Sequence, residues 1–281
     1  MGIKIITDST ADFCEEIRSQ VTVVPLTLKF GDKEYLDGVD ISKEEFFKKL
    51  ETTDIMPTTS QPSPHAFKEK YEELLKNGDD IIVITISSKL SGTYNSAIIA
   101  AEKLQDKVFV IDSKQGSIGE GVLIELALAL IKEGRNVREI CEILKQQSEK
   151  IRIVALLNTL DYLVKGGRLN KGAGLIGKAL NLKVILKIQD GEISPMGKAR
   201  GFSNAKKSLN ELIEKEGNID FEKPYLIGYS GSSSTDVEKY LCESYDIWQE
   251  RHDKSRIVQI GSVVGTHSGP GAIIAAFFAK N

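Results

Sequence analysis

Residues 81–97 have the sequence IIVITISSKLSGTYNSA, an unbroken apolar run followed by a polar turn. The run at 81–86 is rich in β-branched residues, a pattern typical of a strand buried on both faces of a parallel sheet. Residues 98–104 (IIAAEKL) predict a helix, which makes the segment between them a strand-to-helix turn. Because open α/β sheets bind ligands at the carboxyl ends of their strands, we expect a ligand at this turn.

Two interpretations of the turn follow from its residues. Ser91, Gly92 and Thr93 would present hydroxyls and free backbone N–H groups at a helix N-terminus, which suits an anion. The hydroxyl of Ser91 or Thr93 could equally serve only to cap the helix. The turn alone leaves both interpretations open.

The composition is that of an ordinary globular protein. A length of 281 residues favours two domains. The net charge of −3 argues against a dedicated nucleic-acid-binding protein, and no apolar run is long enough to span a bilayer. The first residues lack a signal-peptide pattern, and Cys14, Cys141 and Cys242 have no CxxC spacing. We therefore expect a cytoplasmic protein without a disulfide or zinc framework.

The pattern of elements changes about halfway along the chain. Alternating strand and helix signals up to residue 149 predict a parallel α/β domain, whose helices include one opened by the capping box at Ser42 and one opened by Ser63 and Pro64. Beyond residue 153, a hairpin signal at Asp190–Gly191 predicts an α+β domain with an antiparallel or mixed sheet. The predicted domains are residues 1–152 and 153–281. Within the second, we expect a helix at 235–250 and a strand at 257–264.

Several chemical motifs are incomplete. Residues 172–177 match GxGxxG, but they do not follow a buried strand, so close helix packing explains them better than a dinucleotide. The chain has no GxxxxGK[ST] loop, and 228–232 (GYSGS) lacks the final glycine of a nucleophile elbow. His65, His252 and His267 have no metal-ligand spacing, and the charged neighbours of His252 predict a solvated side chain. We predict neither a cofactor nor a metal.

Hydroxyl-bearing residues suggest two functions. Thr59, Ser60, Ser91 and His267 are distant in sequence but could converge. Such a set suits nucleophilic catalysis, as in a serine hydrolase acting on acyl esters through Ser91 and His267. It equally suits hydrogen bonding of a carboxylate. Residue chemistry alone does not decide between them.

Five stretches, in order along almost the whole chain, carry a resemblance to a known family. They are DSTAD (8–12), TSQPS (59–63), LSGTY (90–94), NTLDYL with GGR (158–163 and 166–168) and GTHSGPG (265–271). Each is weak alone. Together they resemble the DegV family of fatty-acid-binding proteins.

The resemblance implies two α/β domains that hold a long-chain fatty acid, such as palmitate or oleate, in a tunnel between them. It implies that Ser91 and Thr59 bind the carboxylate, with Arg168 and His267 near the head group. The other expected ligand-binding residues are their neighbours in the same motifs, Ser60, Gly92, Thr93 and Ser268. The family further implies a non-catalytic role, in which the fatty acid is presented to a separate fatty acid kinase that makes an acyl phosphate for phospholipid synthesis.

Arg168 and His267 have a purely structural alternative. Both follow or lie within glycine-rich segments, which we expect to be turns. Arg168 could cap a helix C-terminus, and His267 could satisfy a buried carbonyl.

Overall fold

The computed structural model describes residues 2–169, 182–248 and 254–280. The GxGxxG segment at 172–177 and His252 lie outside the described residues. Among the helices of these ranges, none is both long and apolar enough to cross a membrane.

The described residues form thirteen strands and ten α-helices. The strands are β1 (Ile3–Asp8), β2 (Val21–Val24), β3 (Thr27–Phe30), β4 (Lys33–Leu36), β5 (Thr58–Ser60), β6 (Asp80–Thr85), β7 (Val108–Asp112), β8 (Ile151–Leu157), β9 (Leu182–Gln189), β10 (Glu192–Arg200), β11 (Tyr225–Tyr229), β12 (Ile257–Gln259) and β13 (Ile273–Phe278). The helices are α1 (Lys43–Thr52), α2 (Pro64–Leu75), α3 (Thr93–Ala101), α4 (Ile118–Lys132), α5 (Val137–Ser148), α6 (Asp161–Lys165), α7 (Phe202–Lys215), α8 (Thr235–Glu243), α9 (Tyr245–Trp248) and α10 (Ser262–Ser268).

The first half of the chain builds the predicted parallel sheet, in the order β2-β1-β6-β7. Strand β6 is internal, and residues 81–87 are all buried, as the apolar run predicts. Helix α3 begins at Thr93 and not at residue 98, so it follows the turn directly. The capping box at Ser42 and the Ser63–Pro64 helix start are also confirmed.

The second half builds a six-stranded mixed sheet, in the order β10-β9-β8-β13-β11-β12. Only β11 and β12 pair in parallel within it. Strands β9 and β10 form the predicted hairpin, and Asp190 (φ 51°) and Gly191 (φ 82°) both adopt the left-handed conformation that a two-residue type I′ turn requires. The fold class is therefore confirmed.

A third, three-stranded sheet, β4-β3-β5, was not expected. The sequence predicts one extended segment at 21–30 and a loop at 57–64. Instead, Pro25 separates β2 from β3, and the short polar strand β5 pairs with β3 so that Thr59 lies opposite Leu28. A proline cannot donate to a strand ladder, and β5 has no apolar alternation that would reveal it.

The strand predicted at 257–264 is wrong beyond Gln259. The chain turns at Gly261 and forms helix α10, which carries His267. Apolar β-branched runs do not distinguish a buried helix from a buried strand. A tertiary contact marks the start of the helix, where the Gly261 N–H donates to Asp12 Oδ1 (2.7 Å). His267 therefore lies on a helix and not in a flexible glycine-rich turn.

The helix predicted at 235–250 is divided into α8 and α9. Ser244 between them has a non-helical backbone (φ −119°, ψ 38°). Its hydroxyl accepts a hydrogen bond from the Asn210 side chain (3.1 Å). This contact with α7 cannot be read from the local sequence.

Helix α4 connects the two halves of the molecule. Its apolar residues pack against the parallel sheet on one side and the mixed sheet on the other, in one continuous core. All strands of the parallel sheet precede residue 113, and all strands of the mixed sheet follow residue 150. The domain division at residue 152 stays a prediction, since the shared core joins both parts.

Candidate functional site

A cavity of about 810 Å³, including its opening, lies between the two large sheets. One wall consists of alternate residues of β8, namely Ile153, Ala155 and Leu157, because successive strand side chains point to opposite faces. The opposite wall includes Ile86 and Leu90 from the strand-to-helix turn. Most of the lining side chains are aliphatic.

Five of the predicted ligand-binding residues line this cavity. They are Thr59, Ser91, Arg168, His267 and Ser268. The Thr59 hydroxyl lies 3.0 Å from His267 Nε2, and Arg168 Nε donates to the Leu90 carbonyl (3.3 Å), next to Ser91. Side chains from β5, the α3 turn, the end of α6 and α10 therefore meet in one polar cluster, although the apolar strands provide most of the wall.

The other three predicted residues lie outside the lining. Ser60 is exposed, and neither Gly92 nor Thr93 lines the cavity. Thr93 is buried, and its hydroxyl lies 2.9 Å from Ser91 Oγ. Contact of these three with a ligand stays a prediction.

Gly92 explains how β5 is held beside the α3 turn. A Cβ at Gly92 would overlap the Gln61 side chain, whose amide donates to Ser96 Oγ (2.9 Å) on α3. The glycine thus permits the close approach that brings Thr59 next to the turn. Gly92 is also the N-cap residue of α3 and has no side chain to cap it, but the Ser91 hydroxyl accepts a hydrogen bond from the N–H of Thr93, the first helical residue (3.3 Å). Ser91 thus makes a capping contact and also lines the cavity, so both interpretations of the turn stay open.

His267 is held against α6 in a largely buried environment. A Cβ at Gly166 would overlap His267 Nδ1, so only glycine permits this contact. Burial, and next the nearby Arg168 guanidinium, lower the pKa of His267 to about 4. The imidazole is therefore neutral at pH 7.

The hydrogen bonds of His267 indicate which ring nitrogen carries the proton. Nδ1 is buried and has no hydrogen-bond partner among the described residues. Because an N–H without an acceptor there would be costly, the proton is better placed on Nε2, where it donates to the Thr59 hydroxyl oxygen. This arrangement leaves the Thr59 hydroxyl hydrogen free for a ligand. His267 therefore satisfies a hydroxyl and not a carbonyl.

Arg168 is fixed by backbone carbonyls. Its Nη1 donates to the carbonyl of Gly166 (2.8 Å), the C-cap residue of α6, and its Nε donates to Leu90. The predicted helix-capping role is thus present. It also holds the guanidinium at the cavity wall, where its charge faces the polar cluster.

The sequence did not reveal a second polar layer behind the apolar wall. Thr10 and Ser117 line the cavity, yet their hydroxyls contact buried carboxyl groups. The Thr10 hydroxyl donates to Asp8 Oδ1 (2.5 Å), and that of Ser117 donates to Asp12 Oδ2 (2.8 Å). Both hydroxyls therefore already have hydrogen-bond partners within the protein. An apolar ligand could contact the wall at these positions without leaving either hydroxyl unpaired.

Glu120 on α4 belongs to the same layer. It is fully buried, and burial, and next the Asp8 carboxylate, raise its pKa well above the ordinary value. Its Oε2 lies 3.0 Å from Thr10 Oγ1. A single acidic residue between two glycines in the apolar segment 118–124 (IGEGVLI) is the signal that could have identified it.

The site does not contain a serine–histidine pair. The Ser91 hydroxyl contacts Thr93, whereas His267 Nε2 contacts Thr59. The nucleophile and base of a hydrolase are expected within direct hydrogen-bonding distance of each other. The geometry therefore favours carboxylate binding over the hydrolase alternative.

The family of the chain follows from comparison with known proteins. Residues 2–280 match the family model described as "Uncharacterised protein, DegV family COG1307". The chain belongs to the DegV family. A DegV domain-containing protein of Caldanaerobacter subterraneus subsp. tengcongensis is 39% identical over 277 residues, which cover 96% of each chain.

Solved DegV-family structures share the whole fold. The chain is similar to a stearic-acid-binding protein from Eubacterium ventriosum, with a TM-score of 0.87 and 28% identity over 99% of this chain and 98% of that one. It is also similar to a fatty-acid-binding DegV-family protein from Thermus thermophilus, with a TM-score of 0.84 and 29% identity over 99% and 100%. These structural neighbours bind fatty acids.

Proposed function

We propose that this chain binds one long-chain fatty acid, with its acyl tail in the apolar cavity and its carboxylate at the polar cluster. The observation that carries this proposal is the combination of an aliphatic cavity with a neutral histidine, hydroxyls and a guanidinium at its wall. An amphipathic chain with one anionic end matches both parts. The fatty acids named for the structural neighbours support the same class of ligand.

The apolar part supplies the affinity. Burial of a tail of about 15 methylenes at about 0.8 kcal/mol each gives roughly 12 kcal/mol of gross transfer free energy. Association and ordering of the chain consume a good part of it. The hydroxyls of Thr10 and Ser117 already contact buried carboxyl groups, which favours a wall that accepts methylene groups without leaving polar atoms unpaired.

The polar part supplies orientation. A buried carboxylate requires donors, or it would take up a proton instead. Thr59 can donate its hydroxyl hydrogen while it accepts from His267, and Ser91 provides a second hydroxyl. Arg168 contributes positive charge from a guanidinium that two backbone carbonyls hold in place.

We further propose that the bound fatty acid is presented to a partner kinase, which phosphorylates the carboxylate. A polar recess lined by Lys89, Gly167 and Glu192 adjoins the cavity and shares Arg168 with it. A guanidinium suits phosphate oxygens because its planar fork donates two parallel hydrogen bonds. The absence of a GxxxxGK[ST] loop from the sequence supports a separate source of the phosphoryl group.

Lipid extraction and an ester-hydrolysis assay test the proposal together. Purified protein is extracted with organic solvent, and delipidated protein is then incubated with palmitate or oleate. We expect close to one fatty acid per chain and no turnover of a nitrophenyl ester. Ester turnover that disappears in Ser91→Ala would favour the hydrolase alternative instead.

A further inference from the structure

Gly116 lines the cavity where its wall is formed by Ile86 and Leu90. We propose that this glycine sets the width of the tunnel there and thereby selects fatty acids by the shape of the acyl chain. This inference rests on the proposed fatty-acid binding and assigns a specificity-determining residue to it.

The backbone does not require a glycine at position 116. The nearby residues Lys114 and Ser117 both have left-handed φ angles of 54°, but Gly116 is not among the residues with positive φ. A non-glycine residue can therefore adopt its backbone conformation. The conformational argument that explains Gly167 or Gly191 does not apply here.

Packing within the protein does not require it either. A Cβ at Gly116 would make ordinary contacts, 3.5 Å from Ile86 and 3.8 Å from Leu90, both with side chains of the cavity wall. Gly119 and Gly121 nearby are different, because a Cβ there would overlap Ile153 or the Asp12 carbonyl. A methyl group therefore fits at position 116 in contact with the side chains of the cavity wall.

The backbone around Gly116 is fixed, so an added side chain cannot simply move away. The Gln115 carbonyl accepts from the Ser87 N–H (2.7 Å), and the Gln115 side-chain amide donates to the Ser148 carbonyl (3.2 Å). On the other side, Ser117 is bonded to Asp12 through both its hydroxyl and its carbonyl. Because Gly116 lines the cavity, an added Cβ takes up volume at its wall, and further side-chain atoms must enter the lumen or displace Ile86 and Leu90.

A narrower lumen should discriminate between chain shapes. A cis double bond or a methyl branch widens the cross-section of an acyl chain, whereas a straight saturated chain is slender. One methylene more or less in a hydrophobic pocket changes discrimination by about 10- to 200-fold. Added carbon at position 116 should therefore disfavour bent and branched chains more than straight ones.

The test uses delipidated wild type, Gly116→Ala and Gly116→Val, each incubated with an equimolar mixture of palmitate, oleate and a methyl-branched acid of similar length. Bound lipid is extracted and quantified per chain by mass spectrometry. We expect the ratio of oleate and branched acid to palmitate to fall about tenfold in Gly116→Ala, equivalent to about 1.4 kcal/mol. The fall in Gly116→Val should be larger.

Gly197→Ala is the matched control, because Gly197 is exposed and a Cβ there meets nothing within 4 Å. A thermal melt verifies that each variant is folded, and the smaller alanine variant decides the question if the valine variant unfolds. Unchanged lipid ratios in folded Gly116→Ala would overturn the inference. Failure of the wild type to bind any of the three acids would instead overturn the proposed function.

Discussion

His267 Nε2 lies 3.0 Å from the Thr59 hydroxyl oxygen, although 208 positions separate the two residues in the chain. The contact joins helix α10 to the short strand β5 at the wall of the apolar cavity. Because His267 Nδ1 has no partner among the described residues, the imidazole is best placed to donate through Nε2. The hydroxyl hydrogen of Thr59 is then free to donate to the carboxylate of the proposed fatty acid.

Loss of the two hydroxyls should weaken fatty-acid binding. In the proposed complex, Thr59→Val and Ser91→Ala would each remove a hydrogen bond to the charged carboxylate, which contributes about 1.5–3 kcal/mol. We expect each single variant to raise the Kd for palmitate by at least tenfold and the double variant to raise it further, as measured by competition with a fluorescent fatty acid.

Thr58→Val is the matched control for Thr59→Val. Thr58 lies on the same strand but is exposed and does not line the cavity. Equal Kd values for Thr58→Val and Thr59→Val would show that the head-group assignment is wrong.

Acidification should destabilise the protein without ligand through His267. Its folded-state pKa of about 4 lies below the ordinary value of 6.5. Between these two values His267 is protonated in the unfolded chain but neutral in the folded protein. The free energy of unfolding therefore decreases as the pH falls from about 6.5 toward 4. This contribution is at most about 3 kcal/mol. Denaturant unfolding of wild type and His267→Gln at pH 7 and pH 5 measures it.

Comparison of wild type with His267→Gln isolates the contribution of His267 to the pH dependence of stability, because the other titrating groups are common to both. We expect the wild type to lose more stability between the two pH values than His267→Gln does. Identical losses would contradict a buried neutral imidazole.

A rise in pH should destabilise the protein through Glu120. Thr7 has one hydroxyl hydrogen but contacts both the Ile84 carbonyl (2.8 Å) and Glu120 Oε1 (2.7 Å). A carbonyl only accepts, so a protonated Glu120 satisfies both contacts, in agreement with its raised pKa. As the pH rises above about 4.5, the unfolded chain releases a proton that the folded protein retains, and stability decreases.

Glu120→Gln should remove this dependence, because its amide can donate to Thr7 as the protonated carboxyl does. We expect the variant to gain stability relative to the wild type as the pH is raised from 5 to 9, measured by denaturant unfolding. A stability difference that stays constant over this range would mean that Glu120 does not retain its proton.

Arg168 should contribute more to phosphoryl transfer than to lipid uptake. Its guanidinium lies between the cavity and the polar recess, whereas most of the binding free energy comes from the acyl tail. We expect Arg168→Gln to bind palmitate but to lower acyl phosphate formation with the proposed partner kinase at least tenfold, at saturating fatty acid. Lys165→Gln, which removes an exposed charge three residues earlier in the chain, is the control. Wild-type transfer rates in folded Arg168→Gln would contradict this role.

The elements that the sequence predicts are those encoded locally. Each of these elements has its characteristic pattern and the residues that end it within one short segment, as in the apolar run of β6, the turn before α3 and the Asp190–Gly191 hairpin. Strand β5 and helix α10 do not, because β5 is defined by its pairing with β3 and α10 by the carboxylate of Asp12 at its start. These two elements carry Thr59 and His267, so the site depends on the parts of the fold that are set by tertiary contacts.

The same limit applies to individual residues. The family resemblance provided Thr59, Ser91, Arg168 and His267, which the structure brings to one cavity. It gave no role to Glu120 or Gly116. The roles inferred for them follow from their surroundings. Thr7 has one hydroxyl hydrogen for two contacts, one of them with Glu120, and a Cβ at position 116 would make only ordinary contacts with the cavity wall.

Carbon-13 NMR of palmitate labelled at its carboxyl carbon tests the central claim most directly. With delipidated wild-type protein, we expect one bound resonance in slow exchange with free palmitate, at one ligand per chain. That resonance should shift in Thr59→Val and Ser91→Ala and stay unchanged in Thr58→Val. The absence of a bound resonance, or one that is insensitive to both cavity-lining substitutions, would contradict a fatty-acid carboxylate held at this cluster.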